Sequence, residues 1–263
     1  MMDLFVGSEN IISSLGVTAA ENFNSLKYNE TGIKQYQNIG FKGEDVYLSK
    51  IGVEPTDFYS LLEQSFSGSI KGISDTIIES ERCLVIVSTT KGDLRNVNED
   101  SIHSSVSRLQ NQFKLANYPL IISNACISGV LALNAAAKLI RSQKYDHAVV
   151  IGCDTVSDFV LYGFQSLFAI SDMPCKPFSK DRKGITLGEG AAAIVISKDK
   201  NVFLTTPLKY VSGSSSNDAN HISGPSRTGE GLVRTIAKTI ENANVSISDI
   251  DYISAHGTGT LFN

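Results

Sequence analysis

The sequence predicts an α/β fold in which a mainly parallel sheet is covered by helices. Three short apolar runs, at residues 83–88, 148–151 and 191–196, are typical of buried strands, and helix-forming stretches separate them. Strands that alternate with helices along a chain usually lie parallel in one sheet. The chain has 263 residues, 42% of them apolar and 19% charged, which is enough for a large core.

The individual elements follow from local signals. A helix is predicted over residues 57–66, with Asp57 near its N-cap, and the polar segment 24–52 receives no assignment. A strand at 119–122 precedes an Ala- and Leu-rich stretch without proline, which predicts a helix. The next three predicted helices are 101–115, 127–142 and 160–170.

A polar break at residues 199–201 separates two units. After it the pattern begins again, with a strand at 208–212, a helix at 231–242 and a strand at 250–253. We therefore predict one unit at residues 1–201 and a second at 202–263 that has only begun. The rest of the second unit would cover the face carried by residues 202–263. Without it, that face is expected to be an exposed apolar patch.

Charge and composition exclude several classes of function. The formal net charge is −4 and the basic residues are scattered, so neither nucleic acid nor an anionic membrane is an expected partner. The N-terminus lacks a signal-peptide pattern, and the most apolar stretch, residues 120–140, is interrupted by polar side chains. We expect a cytoplasmic protein. The four cysteines form no C-x-x-C pair, so no zinc site or disulfide framework is indicated.

One cysteine lies at a predicted strand-to-helix turn. Cys126 follows the strand at 119–122 and precedes a helix, and the N–H groups at a helix N-terminus stabilise a thiolate and a developing oxyanion. The small residues Ala125 and Gly129 would let helix, strand and substrate approach closely. The alternative is that Cys126 is a small buried apolar side chain, as free cysteine usually is. The other cysteines, Cys83, Cys153 and Cys175, are interpreted in that structural sense.

One histidine precedes a glycine- and threonine-rich turn. His256 follows the strand at 250–253, and the glycines after it permit a tight turn that would present the imidazole to a cleft. A neutral histidine there could donate its N–H to a carbonyl. A phosphate-binding loop is disfavoured because no helix or P-loop lysine follows. A histidine without a function is the alternative, and it is the interpretation for His103, His147 and His221.

Several stretches together resemble motifs of β-ketoacyl synthases. Residues 124–129 (NACISG) resemble the nucleophile motif of these enzymes, residues 176–191 (KPFSKDRKGITLGEGA) resemble a second block, and residues 255–260 (AHGTGT) resemble the first histidine motif. The serine-rich segment 212–225 is similar to a further family segment. The order and spacing match, and the similarity extends from about Cys83 to the last residue.

The resemblance implies a thiolase-like, layered αβαβα fold with two similar halves, here with the N-terminal half complete and the C-terminal half only begun. It also implies an elongating condensing enzyme. The cysteine takes an acyl chain from a thioester, and a malonyl unit on acyl carrier protein then loses CO2 and attacks the acyl-enzyme. The implied partners are acyl carrier protein, acyl and malonyl thioesters, and a second subunit in a homodimer or heterodimer. No metal or organic cofactor is implied, because the pantetheine arm arrives on the substrate.

The family's site residues carry over by motif. The resemblance makes Cys126 the nucleophile and His256 the first of two histidines that hold the malonyl carbonyl and promote decarboxylation. Thr258 and Thr260 match threonines that hydrogen-bond the pantetheine arm. Glu189 matches a glutamate with a mainly structural role, satisfying buried backbone groups near the site.

The departures from the family pattern are also informative. Ser179 stands where the family often has Asp, and Ile185 stands where an aromatic residue is common, at a position near the acyl pocket. The second histidine, its partner lysine and a late Gly-Phe turn are not found in the sequence, which predicts a C-terminally truncated chain. Condensation with one histidine is expected to be impaired.

Four functional hypotheses remain open. The first is an elongating β-ketoacyl synthase. The second is a non-catalytic, chain-length-factor-like subunit or truncated remnant that acts as a dimer partner; the presence of Cys126 argues against it. The third is a split enzyme completed by a second polypeptide. An unrelated hydrolase is disfavoured because no G-x-S-x-G elbow is present.

Overall fold

The computed structural model describes residues 2–52, 56–94, 101–217 and 228–260 of the chain, and in these residues the α/β class is confirmed. No helix in this part of the chain is both long and apolar enough to cross a membrane. The strands are β1 (Leu4–Ile12), β2 (Lys34–Tyr36), β3 (Val46–Ser49), β4 (Cys83–Ser88), β5 (Leu120–Ile122), β6 (His147–Asp154), β7 (Leu187–Gly188), β8 (Gly190–Ser197) and β9 (Leu208–Tyr210). The α-helices are α1 (Ala19–Lys27), α2 (Phe58–Ile70), α3 (Ser101–Gln112), α4 (Ser128–Arg141), α5 (Asp158–Ser166) and α6 (Glu230–Ala243).

The main sheet has six strands in the order β5-β4-β6-β8-β1-β9. Strands β5, β4 and β6 are parallel, whereas β8 is antiparallel to both β6 and β1, and β9 is antiparallel to β1. The prediction of a mainly parallel sheet is therefore wrong, and the sheet is mixed. After α5 the chain makes a long irregular excursion over residues 167–186, so it returns to the sheet in the opposite direction.

Alternate side chains of the sheet pack against helices on its two faces. On β4, Val85 and Val87 face the layer of α2, where Phe58 and Phe66 are fully buried. The residues between them on β4 face α4, whose alanines and Ile140 form the second apolar cluster. Because a strand's side chains alternate in direction, one buried strand serves both layers. The described residues thus form an α-β-α sandwich.

The predicted boundaries hold best where a capping residue or a buried run fixes them. Helix α2 begins after Asp57, whose carboxylate accepts the N–H of Ser60 at 2.7 Å. Helices α3 and α5 end three and four residues before the predicted ends, at Gln112 and Ser166 rather than at 115 and 170. Both are followed by a residue with positive φ, Lys114 and Phe168, which stops the helix.

The segment without an assignment contains structure that the pattern did not reveal. Strands β2 and β3 pair within residues 24–52, and β7 joins them in a second, three-stranded sheet. The opposite error occurs at residues 250–253, where a strand is predicted. These residues have no strand partner in the part of the chain that the structure describes, and Tyr252 and Ile253 are exposed. An alternating apolar pattern forms a strand only where a neighbour supplies hydrogen bonds.

Strand β9, the first strand after the polar break at 199–201, pairs with β1 and contacts α4. Tyr210 donates its hydroxyl hydrogen to Asn134 Oδ1 on α4 at 2.7 Å, and Arg141 of α4 donates to the carbonyl of Val211 at 2.9 Å. Asn134 is buried, so this hydrogen bond satisfies a polar side chain inside the packed layer. The strand that follows the polar break is therefore fixed to the helix that carries the cysteine turn.

Candidate active site

The turn between β5 and α4 presents Cys126 to solvent. Ser128 is the first residue of α4 and Ile127 is its N-cap, so the cysteine lies immediately outside the helix N-terminus. Ala125 has a φ of +47°, which turns the chain sharply before the cysteine. The thiol is exposed, and the interpretation of Cys126 as a small buried apolar side chain is therefore wrong.

A cavity of about 350 Å³ opens beside this thiol. It lies at the carboxyl ends of the parallel strands β4 and β6, where ligands commonly bind. The lining of this cavity includes Ile12, Ser88, Thr89, Thr90, Ala125, Cys126, Ser128, Gly129, Gly152, Asp154 and Ala192.

The expected close approach of helix and strand at Gly129 does not require a glycine. The place that a Cβ would occupy there has no neighbour within 4 Å.

Two of the other cysteines have the environment of packed apolar side chains. Cys83 and Cys153 are 4% and 2% exposed, on neighbouring strands of the main sheet. Burial raises the pKa of the Cys83 thiol to about 12 and that of the Cys153 thiol well above its usual range. Both therefore stay protonated at neutral pH. Cys175 is half-buried, and its backbone N–H donates to Thr186 Oγ1 at 3.0 Å.

The histidine turn is anchored to the block at residues 176–191. Gly184 N–H donates to Gly259 O at 3.0 Å, and Arg182 Nε donates to Thr260 O at 2.8 Å. Gly257 and Gly259 have φ values of +53° and +87°, in the region that favours glycine. Two motifs that lie more than 60 residues apart in the sequence thus form one hydrogen-bonded unit.

The predicted site residues do not all meet in one cavity. His256 is exposed, and it is not among the described residues that line the Cys126 cavity. Thr258 and Thr260 lie together, with their hydroxyl oxygens 3.1 Å apart. His221 lies outside the described residues, as does part of the segment 212–225.

Glu189 precedes Gly190, which lines the Cys126 cavity, and only 6% of the glutamate is exposed. Its carboxylate accepts the N–H groups of Ile51 at 3.1 Å and Val156 at 3.3 Å, and the hydroxyl of Thr56 at 2.6 Å. These three hydrogen-bond donors compensate the carboxylate for its burial. The residue ties the end of β3 and the segment after β6 to the start of β8.

Ile185 is half-buried and is held through its backbone. Its N–H donates to Ala169 O at 2.8 Å, and its carbonyl accepts the N–H of Ser171 at 2.9 Å. Neither the Cys126 cavity nor a larger cavity of about 640 Å³, which lies between α5 and residues 41–46, includes Ile185 in its lining. A Cβ at Gly184 would meet the carbonyl oxygen of Ala169 at 2.6 Å, so the preceding position requires glycine.

The polar residues of the cavity, among them Thr89, Asp154 and Ser128, were not singled out from the sequence. Thr89 follows β4, Asp154 ends β6 and Ser128 begins α4, and all three line the cavity. A signal was present, because polar residues at the carboxyl ends of neighbouring parallel strands converge on one edge of a sheet. Using it requires the strand order, which the apolar pattern alone does not give.

Comparisons with known proteins agree with this architecture. The family model described as "Beta-ketoacyl synthase, N-terminal domain" matches residues 70–201, and "Beta-ketoacyl synthase, C-terminal domain" matches residues 209–263. Nodulation protein E of Rhizobium leguminosarum bv. trifolii is 30% identical over 193 residues, 72% of this chain and 48% of that protein. The 3-oxoacyl-[acyl-carrier-protein] synthase 2 of Rhizobium meliloti (strain 1021) is 32% identical over 171 residues, 61% of this chain and 41% of that protein. The chain spans about half the length of the curated relatives it matches.

Solved structures share the fold over the whole chain. A ketosynthase from Xenorhabdus doucetiae, in complex with its chain length factor, superposes with a TM-score of 0.85 at 24% identity, covering 100% of this chain and 73% of that chain. The ishigamide ketosynthase/chain length factor superposes with a TM-score of 0.84 at 20% identity, covering 99% of this chain and 74% of that chain. The thiolase-like fold class predicted from the sequence is therefore confirmed.

Proposed function

Because this chain belongs to the β-ketoacyl synthase family, we propose that it is an acyltransferase of the 3-oxoacyl-[acyl-carrier-protein] synthase type that uses Cys126 as its nucleophile. The observation that carries the proposal is the exposed thiol at the helix N-terminus, beside a cavity at the strand ends. The thiolate attacks the carbonyl carbon of an acyl thioester, and the thiol of the donor leaves. Malonyl-acyl carrier protein then loses CO2, and its carbanion takes the acyl group from the cysteine.

The remaining roles are proposed from the matching motifs. His256 donates an N–H to the malonyl thioester carbonyl, and Thr258 and Thr260 hydrogen-bond the pantetheine arm. The anchored turn supports this, because hydroxyl groups 3.1 Å apart on a fixed backbone offer a preorganised pair. Glu189 keeps the backbone near the site in place, and Ile185 influences the acyl chain that is accepted.

The organisation and partners belong to the same proposal. Residues 1–201 form the half that carries the nucleophile, and residues 202–263 begin the half that carries the histidine. The partners are acyl carrier protein, which delivers acyl and malonyl thioesters, and a second subunit in a homodimer or heterodimer. The pathway is fatty acid or polyketide biosynthesis. Free cysteines fit a reducing compartment, and we place the reaction in the cytoplasm.

The alternative function is that of a non-catalytic, chain-length-factor-like subunit or remnant that acts as a dimer partner. One observation favours it, namely that His256 is absent from the lining of the Cys126 cavity in the part of the chain described. The exposed cysteine argues for the catalytic function, since a subunit without chemistry has no need of a thiol beside a cavity.

Intact-protein mass spectrometry tests the proposal. The chain, Cys126→Ala and Cys175→Ala are each incubated with an acyl-acyl carrier protein thioester. We expect an acyl-sized mass increase on the chain and on Cys175→Ala, and none on Cys126→Ala. No increase on any of the three would favour the non-catalytic subunit. Release of a 3-oxoacyl product after malonyl-acyl carrier protein is added would demonstrate condensation.

A further inference from the structure

The carboxylate of Asp154, on the wall of the Cys126 cavity, is held by the loop that follows β4. It accepts hydrogen bonds from the hydroxyl groups of Thr89 at 2.9 Å and Thr90 at 2.7 Å, and from the N–H of Thr90 at 3.1 Å. Lys91 Nζ lies 2.9 Å from the same carboxylate, with side-chain exposures of 18% for the lysine and 29% for the aspartate. Charge-assisted bonds that are shielded from water hold their geometry well.

Thr89 connects this carboxylate to the cysteine turn. The residue is 1% exposed, and its hydroxyl both donates to Asp154 and accepts the N–H of Gly92 at 2.9 Å. Its backbone N–H donates to the carbonyl of Ile122, the last residue of β5, at 3.2 Å. Its carbonyl accepts the hydroxyl of Ser128 at 3.1 Å. One buried residue thus joins the ends of β4, β5 and β6 to the start of α4.

Ser128 holds the Cys126 turn through hydrogen bonds of its buried hydroxyl group. Its hydroxyl oxygen accepts the N–H of Asn124 at 2.7 Å, and its hydrogen is shared between the carbonyl of Ala125 at 2.7 Å and that of Thr89. Ser128 is 3% exposed, so these groups have little access to water. The positive φ of Ala125 is unfavourable for a residue with a side chain. The turn therefore needs anchors from outside its own backbone.

We propose that Thr89 and Ser128 are positioning residues that fix the Cys126 turn for acyl transfer, with Asp154 holding Thr89 in place. The inference rests on the proposed function, in which Cys126 is the nucleophile. In that step an S–C bond forms to the thioester carbonyl carbon, the bond to the donor sulfur breaks, and the donor thiolate takes up the proton that the cysteine lost. The attack needs a defined distance and direction, and a displacement of about 1 Å can cost on the order of 100-fold in rate.

A comparison of two reactions of the same thiol separates positioning from general damage. Acyl transfer from an acyl-coenzyme A depends on alignment with the carbonyl, whereas alkylation by iodoacetamide requires mainly an accessible thiolate. Each rate constant is measured on Cys126 by mass spectrometry, and peptide mapping identifies the modified residue. Thermal unfolding of each variant reports the cost in stability.

Four variants make the test specific. Thr89→Val removes the hydroxyl at nearly constant volume, and Thr89→Ser restores a hydroxyl. Ser128→Ala removes the hydroxyl group whose hydrogen bonds hold the Cys126 turn. Ser65→Ala is the matched control, because Ser65 is a fully buried helical serine whose hydroxyl has no hydrogen-bond partner among the described residues.

We expect Thr89→Val and Ser128→Ala to slow acyl transfer by about 10- to 100-fold, with alkylation changed by less than about threefold. Thr89→Ser and Ser65→Ala are expected to stay within about threefold of the unsubstituted chain in both reactions. Acyl transfer at the native rate in Thr89→Val, or a parallel fall of both reactions, would overturn the positioning role. If Thr89→Val does not fold, Ser128→Ala decides on the same criterion. A chain that is alkylated but never acylated would instead refute the proposed function, and the positioning role with it.

Discussion

The thiols of this chain differ in exposure in a way that follows from their positions. Cys83 and Cys153 are interior residues of neighbouring strands, and each packs into the apolar layer beneath α2. Cys126 lies on a turn outside the helix, where the residue is exposed. Reactivity with an alkylating reagent depends on the thiolate and on access to it, so the residues should react at very different rates.

Alkylation with iodoacetamide at pH 8 is predicted to modify Cys126 first and to leave Cys83 and Cys153 unmodified in the folded chain. With a pKa of about 12, the Cys83 thiol is ionised to about one part in ten thousand at pH 8. Raising the pH towards 12 increases its thiolate fraction, so labelling of Cys83 should rise with pH or on unfolding. Peptide mapping by mass spectrometry measures each site. Equal rates at Cys83 and Cys126 in the folded state would contradict the assigned burial.

At the scale of elements, sequence patterns predicted the strands and helices whose formation depends mainly on their own residues. The run at 83–88 is wholly buried, and five consecutive apolar residues at 83–87 predict such a strand directly. The direction of β8 was not predictable from its own residues, because it depends on the path of the chain through residues 167–186. The missed strands β2 and β3 have only three and four residues, and β2 is polar. Val46 and Leu48 of β3 are buried in one apolar cluster with Leu161 of α5, a contact between segments that are distant in the sequence.

The residues of the candidate site also differ in whether the local sequence identifies them. Cys126 could be singled out because a strand-to-helix turn is a local feature. The network of Thr89, Asp154 and Ser128 could not, because its three members come from the ends of three separate elements. Their encounter depends on the order of strands in the sheet, which no single segment encodes.

The histidine turn provides a test at this scale, in the contact between two separate segments. Gly259→Ala places a Cβ 2.8 Å from the carbonyl oxygen of Gly184 and requires a side chain at a φ of +87°. We expect the turn to detach from the block at 176–191, at a cost of about 2 kcal/mol. The amide of Gly184 donates to Gly259 O, so its hydrogen exchange should accelerate by about 10-fold or more.

Gly43→Ala is the matched control for this prediction. Gly43 has a φ of +78°, and no atom lies within 4 Å of the place its Cβ would occupy. The variant therefore carries the backbone strain of a positive φ without the steric contact. Exchange at Gly184 is expected to be unchanged in it. Unchanged exchange in Gly259→Ala as well would mean that the turn is not held by this contact.

For the whole molecule, the main sheet and helix α6 contrast in how well their apolar residues are covered. The central strands β4, β6 and β8 of the main sheet have helices on both sides, and Ile86, Ile151 and Ile196 there are fully buried. On helix α6, Leu232, Val233 and Ile236 are 66%, 65% and 49% exposed. The exposed apolar patch expected from the sequence is therefore present. An apolar face of this kind favours association with another surface.

The last prediction concerns that face of α6. A chain of residues 1–263 is expected to self-associate as its concentration rises, which light scattering detects as an increase in average mass. Leu232→Glu combined with Ile236→Lys should weaken the association by at least about tenfold, since each buried aliphatic side chain contributes about 1.5–3 kcal/mol. Glutamate and lysine are good helix formers, and at this spacing they attract each other, so α6 itself should persist. Leu26→Lys on α1 is the control, because Leu26 is 64% exposed but lies on another helix. An equal effect of Leu26→Lys would show that general surface charge, rather than the α6 face, controls the association.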